Sequence, residues 1–165
     1  MFKFSTKSLA LSGMIAALYV ALSLITFPVA SGAIQIRLSE GLTLLPLIMP
    51  EAIPAVFIGC MLSNLITGCA VFDVLIGSLI TLVAGILTYL IGKFIKKTAL
   101  KIFVGGLFPV LLNAFLLPLI WYFCYGEMEY VYIVQASFLI VSQSVSVYAL
   151  GSVCYFVTKR YLSRK

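Results

Sequence analysis

The chain has 165 residues, 63% hydrophobic and only 10% charged, where a soluble domain carries about a quarter charged residues. One core of this size cannot hide so much apolar surface, so the excess must face lipid and a soluble domain is excluded. The formal charge of +6 does not argue for nucleic acid, because the basic residues fall mostly at helix ends, where they meet anionic lipid headgroups.

The apolar pattern predicts an all-α integral membrane protein, a single transmembrane domain over 1–165 with about six helices. A spanning helix needs about 20 apolar residues. Helix 1 is predicted over 8–27; its run from Leu9 to Phe27 exceeds a signal peptide's apolar region of about 7–15 residues, so it reads as a retained helix. Helices 2 and 3, over 35–48 and 51–67, are short, and Pro46, Pro50 and Pro54 crowd the join between them and favour a break. Such short segments need neighbouring protein around their ends. Helices 4, 5 and 6 follow over 71–95, 101–124 and 130–158.

Charge orients these helices. Lys3 and Lys7 precede helix 1, four lysines (Lys93, Lys96, Lys97 and Lys101) join helices 4 and 5, and Lys159, Arg160, Arg164 and Lys165 close the chain. Six crossings put these 10 of the 11 basic residues on one side, which the positive-inside rule makes cytoplasmic. The expected location is the cell membrane, with both termini inside. Arg37 falls near the outer end of helix 2, and the outer connection between helices 5 and 6 carries Glu127 and Glu129.

Polar groups within a membrane are costly and usually face a cavity or a partner. Helix 2 begins with Gln35, Arg37 and Glu40; the last two are three apart and share a helix face. Asn64 lies near the outer end of helix 3, Asp73 opens helix 4, Asn113 sits in helix 5 and Gln143 in helix 6. One outward pocket would gather them. Other readings stand beside it. Arg37 and Glu40 can neutralise each other. The amides can be helix–helix glue. Asp73 can cap helix 4, and Glu51 is expected to cap helix 3. Trp121, Tyr122, Tyr125, Tyr130 and Tyr132 read first as an interfacial belt, with stacking on a planar ligand as the alternative.

Gly13, Ala17 and Ala21 recur every four residues on helix 1, a stripe that permits close approach either within the chain or to another membrane subunit. Cys60, Cys69, Cys124 and Cys154 form no C-x-x-C pair, and histidine is absent, which argues against a metal site. They read as packing residues, with a disulfide between Cys69 and Cys124 left open. The chain has no nucleophile elbow, phosphate loop or cofactor motif. An enzyme is not expected, and uphill transport would need a partner or an ion gradient.

The stretch GAIQIRLSEGLTLLP from Gly32 to Pro46 resembles the signature of the QueT family. So do AIPAVFIGCMLSN from Ala52 to Asn64, DVLIGSL from Asp73 to Leu79, and the segment from Pro109 to Asn113. The resemblance implies a six-helix substrate-binding S component of an energy-coupling-factor (ECF) transporter, of the ABC class. It would take up a queuosine precursor, either a 7-deazaguanine base or queuine. It also implies a partner module of two ATPases and a transmembrane coupling protein, docked through the small residues of helix 1, and release of cargo by toppling in the membrane. Where family members carry Gly-Glu in helix 6, this chain has Ser142-Gln143. Glutamine both donates and accepts, which leaves preference within the class open. On this reading Gln35, Arg37, Glu40, Asn64, Asp73, Asn113 and Gln143 serve the ligand. An S component for another nutrient, such as a vitamin or tryptophan, and a stand-alone secondary transporter remain as alternatives.

Overall fold

The computed structural model describes residues 5–30, 36–126 and 131–163. The predicted position of Gln35, together with Glu127, Glu129 and Tyr130, lies outside the described residues. The described residues are helical throughout, with no strand among them.

Four stretches are long and apolar enough to cross a membrane: Thr6–Pro28, Asp73–Phe94, Thr98–Cys124 and Tyr132–Leu162. The first lies in α1, Thr6–Ala30. The second joins a π turn, Asp73–Gly77, to α3, Ser78–Phe94. In the third, α4 (Thr98–Ile120) widens into a π turn at Trp121–Tyr125. The fourth is one long rod in three parts: α5 (Tyr132–Ser144), a π segment (Val145–Leu150) and α6 (Gly151–Leu162). Large apolar side chains such as Met14, Ile25, Phe94, Phe123 and Ile133 point outward from these stretches. In water such a surface would be a liability; against lipid tails it is the expected face.

Two shorter segments differ from the spanning type. The predicted helix over 35–48 is a 3-10 helix, Leu38–Leu47, and Ser39 through Leu47 are all buried. At about 2.0 Å per residue, its ten residues advance further than an α-helix of that length. Runs this long are uncommon because the hydrogen bonds are poorly aligned. Here burial holds the form, since α1, α3, α4, α6 and the helix α2 (Ala52–Ile66) all pack against it. Pro46 withholds an N–H, and Thr43 Oγ1 donates to the Glu40 carbonyl at 2.6 Å, a local bond that competes with α-helical pairing. Glycines let the walls close in. A Cβ on Gly105 would stand 2.6 Å from Leu47 Cδ2, and one on Gly151 would stand 2.8 Å from the Gly41 carbonyl oxygen.

The chain breaks at the prolines, as expected, and α2 begins at Ala52 and runs to Ile66. Gly68 ends it at φ +72°. The Cys69 N–H reaches the Asn64 carbonyl at 3.0 Å, and the Gly68 N–H reaches that of Leu65 at 3.3 Å. This pair of reverse bonds satisfies carbonyls at the helix end. Glu51 stands at the N-cap position without the expected side-chain cap. Its carboxylate instead accepts from Ser8 Oγ at 3.3 Å, and its backbone carbonyl accepts from Ser12 Oγ at 2.9 Å. These bonds tie the start of α1 to the start of α2. All four cysteines are free, so Cys69 and Cys124 do not pair.

Candidate functional site

One face of α1 is polar at helical spacing. Ser8, Ser12, Tyr19, Ser23 and Thr26 all turn inward, with Ile15 and Ala16 completing the buried stripe. The opposite face carries Gly13, Ala17 and Ala21, all exposed, and a Cβ on Gly13 would meet no neighbouring helix within 4 Å. The small-residue stripe is therefore not used for packing among the described residues.

The inward face borders a cavity of about 330 Å³. Arg37 and Glu40 reach it from the start of the 3-10 helix, and Asn64 from α2. Asp73 enters from the first π turn, Asn113 from α4 and Trp121 from the second π turn. Five of the seven predicted ligand residues thus share one cavity. Gln143 is buried on α5 and is not among the lining residues; its Oε1 has no hydrogen-bond partner among the described residues.

Glu40 is the deepest charge, 2% exposed. Its Oε1 accepts from Tyr19 Oη at 2.7 Å, and its Oε2 accepts from Asn113 Nδ2 at 3.3 Å. Two donors on two oxygens suit a carboxylate, and they offset part of the cost of burying it. Arg37 does not close on Glu40 in the described hydrogen bonds. Its guanidinium donates to Asn64 Oδ1 at 2.8 Å. Asn64 Nδ2 in turn donates to the backbone carbonyl of Asp73 at 3.2 Å. One amide therefore bridges the start of the 3-10 helix and the first π turn. Asp73 Oδ1 accepts from Trp121 Nε1 at 2.9 Å, a bond from one π turn to the other. Such widened turns often mark functional sites, because they re-aim side chains and free carbonyls.

Two features escaped the sequence reading. Tyr19 is not among the residues expected from sequence, although the polar stripe 8, 12, 19, 23, 26 on α1 has the spacing of one helix face. Trp121 is read as an interfacial residue from its apolar surroundings, but its indole N–H turns inward to Asp73. Tyr122 does stay exposed, as a belt residue would. Cys60, beside the cavity, takes weak contacts from Thr81 Oγ1 at 3.5 Å and Asn64 Nδ2 at 3.7 Å.

Apolar outer faces around a buried polar cavity define a multi-pass membrane protein with a place for a small polar molecule. A profile of the QueT transporter family matches residues 9–160. The chain belongs to the QueT transporter family, a family of transporters and not of enzymes. Neither the curated proteins nor the solved structures hold a match to it.

Proposed function

We propose that this protein is the S component of an ECF transporter and binds a queuosine precursor, a 7-deazaguanine base or queuine, in the cavity around Glu40. The observation that carries the reading is the pairing of a buried carboxylate with a set of amide and guanidinium groups in one space. A deazaguanine offers a flat ring with an edge of N–H donors and a carbonyl acceptor. Glu40 accepts from the ring N–H and exocyclic amine. Asn113 and Asn64 serve the remaining edge, and Arg37 serves the carbonyl.

In this reading the chain crosses the cell membrane six times. The 3-10 helix and α2 form the two inner crossings, both termini are cytoplasmic, and the cavity opens outward. The exposed Gly13, Ala17 and Ala21 face docks on the coupling protein of a module with two ATPases. That module supplies the energy, for which this chain carries no motif.

Calorimetric titration of the detergent-solubilised protein tests the binding step. Queuine, the aminomethyl and cyano 7-deazaguanines, guanine, riboflavin and tryptophan form the panel. Selective binding of a deazaguanine is expected. Binding of riboflavin or tryptophan in its place would move the protein to another S-component class.

A further inference from the structure

The charged groups lining the cavity do not balance. Arg37 brings one positive charge, whereas Glu40 and Asp73 bring two carboxylates. The groups also lie at different depths: Glu40 is 2% exposed, while Asp73 and Trp121 are only half-buried at the open end. Both Glu40 oxygens already accept from Tyr19 and Asn113, and the Arg37 guanidinium is engaged by Asn64. Asp73 differs. Its Oδ1 takes the Trp121 N–H, which fixes the indole beside the carboxylate, and its Oδ2 takes no described bond. In addition, Ser23 Oγ lines the same cavity, is buried, and has no hydrogen-bond partner among the described residues. A buried hydroxyl left this way is costly unless a bound group completes it.

A half-buried carboxylate next to an indole suits an ammonium group. Coulomb attraction is screened less there than in open water, and an aromatic face adds its own attraction for a cation. We propose that Asp73 and Trp121 form an ammonium subsite at the open end of the cavity, so that the site selects a cargo carrying one protonated amine over a neutral cargo with the same ring. Ser23 completes its hydrogen bonding on the ring held at the Glu40 end. The inference rests on the deazaguanine reading and adds a choice within it. The 7-aminomethyl compound carries an ammonium at neutral pH, and the 7-cyano compound is neutral. Two like-sized ligands therefore differ in the one property that the subsite reads.

The test is calorimetry on the full chain in detergent with these two compounds, for the unaltered protein and for Asp73→Asn. The unaltered protein is expected to bind the aminomethyl compound at least about tenfold more tightly. Asp73→Asn is expected to bring the two affinities within about twofold through loss of aminomethyl affinity, and an unaltered melting temperature shows that the variant folds. Equal or tighter cyano binding by the unaltered protein overturns the subsite and leaves the deazaguanine reading standing. A preference that survives Asp73→Asn also overturns it. If Asp73→Asn loses cyano binding as well, Trp121→Leu decides: a reduced preference supports the subsite and a full one overturns it. If neither compound binds the unaltered protein, the functional reading fails and takes this inference with it.

Discussion

The hydroxyl of Tyr19 lies 2.7 Å from Glu40 Oε1, and both side chains are buried. This bond joins α1 to the 3-10 helix at the floor of the cavity. It makes α1 a wall of the site, although the hydropathy of that helix marks it only as a membrane span.

Tyr19→Phe removes the donor and leaves a buried carboxylate oxygen short of a partner. A hydrogen bond to a charged group contributes about 1.5–3 kcal/mol, so the ligand-free protein is expected to melt at a lower temperature in detergent. An unchanged melting temperature would show that water or another donor replaces the phenol at no cost.

Glu40→Gln keeps the size of the side chain and one acceptor oxygen, but presents an amide where the ligand's donors are expected. Affinity for the deazaguanine ligand should fall at least about tenfold, equivalent to about 1.4 kcal/mol. Calorimetry measures it, and an unaltered Kd would remove Glu40 from the ligand's contacts.

Gly151→Ala and Gly13→Ala separate two kinds of glycine. At Gly151 a Cβ meets the Gly41 carbonyl oxygen at 2.8 Å, whereas at Gly13 it meets nothing within 4 Å. Overpacking of a tight seam costs about 1–3 kcal/mol, so Gly151→Ala should lower thermal stability. Gly13→Ala should hold or raise it, because alanine favours a helix by about 1 kcal/mol over glycine. Equal effects at the two sites would contradict the packing described.

Gly13→Trp tests the outward stripe. Ligand binding by the isolated protein should be unchanged, since the site faces away from the cavity. ATP-driven uptake in proteoliposomes containing the module should drop sharply. Full uptake would place the docking surface elsewhere.

Much of this arrangement is legible from residue types. The prolines mark the break before α2, and the cost of polar groups in a membrane singles out Arg37, Glu40, Asn64, Asp73 and Asn113, which the cavity gathers. Hydropathy cannot show that Leu38–Leu47 is a 3-10 helix enclosed by protein, because an apolar run reads the same whether lipid or helices surround it. Glu51 looks like a cap because it precedes a helix, yet Ser8 offers its carboxylate a partner 43 positions away in sequence. Trp121 is harder because it opens the π turn Trp121–Tyr125, where the backbone leaves the 3.6-residue phase of the helix before it. Gln143 lies in regular α5 and is buried, but residue type alone does not tell burial among helices from burial in the cavity wall.

The widened turn at Val145–Leu150 has a consequence for how this chain can change over generations. The extra residue of a wide turn is taken up within that turn, so its loss returns the segment to ordinary α-helix and leaves the faces beyond it in place. Gly151, which admits the Gly41 backbone, and Tyr155, which lies in the core with Leu44, would keep their places in the seam. One codon lost within α6 itself has no such reserve, because every later position then turns by about 100°; the stretch from Val145 to Leu150 is the part of the rod where a deletion can be forgiven.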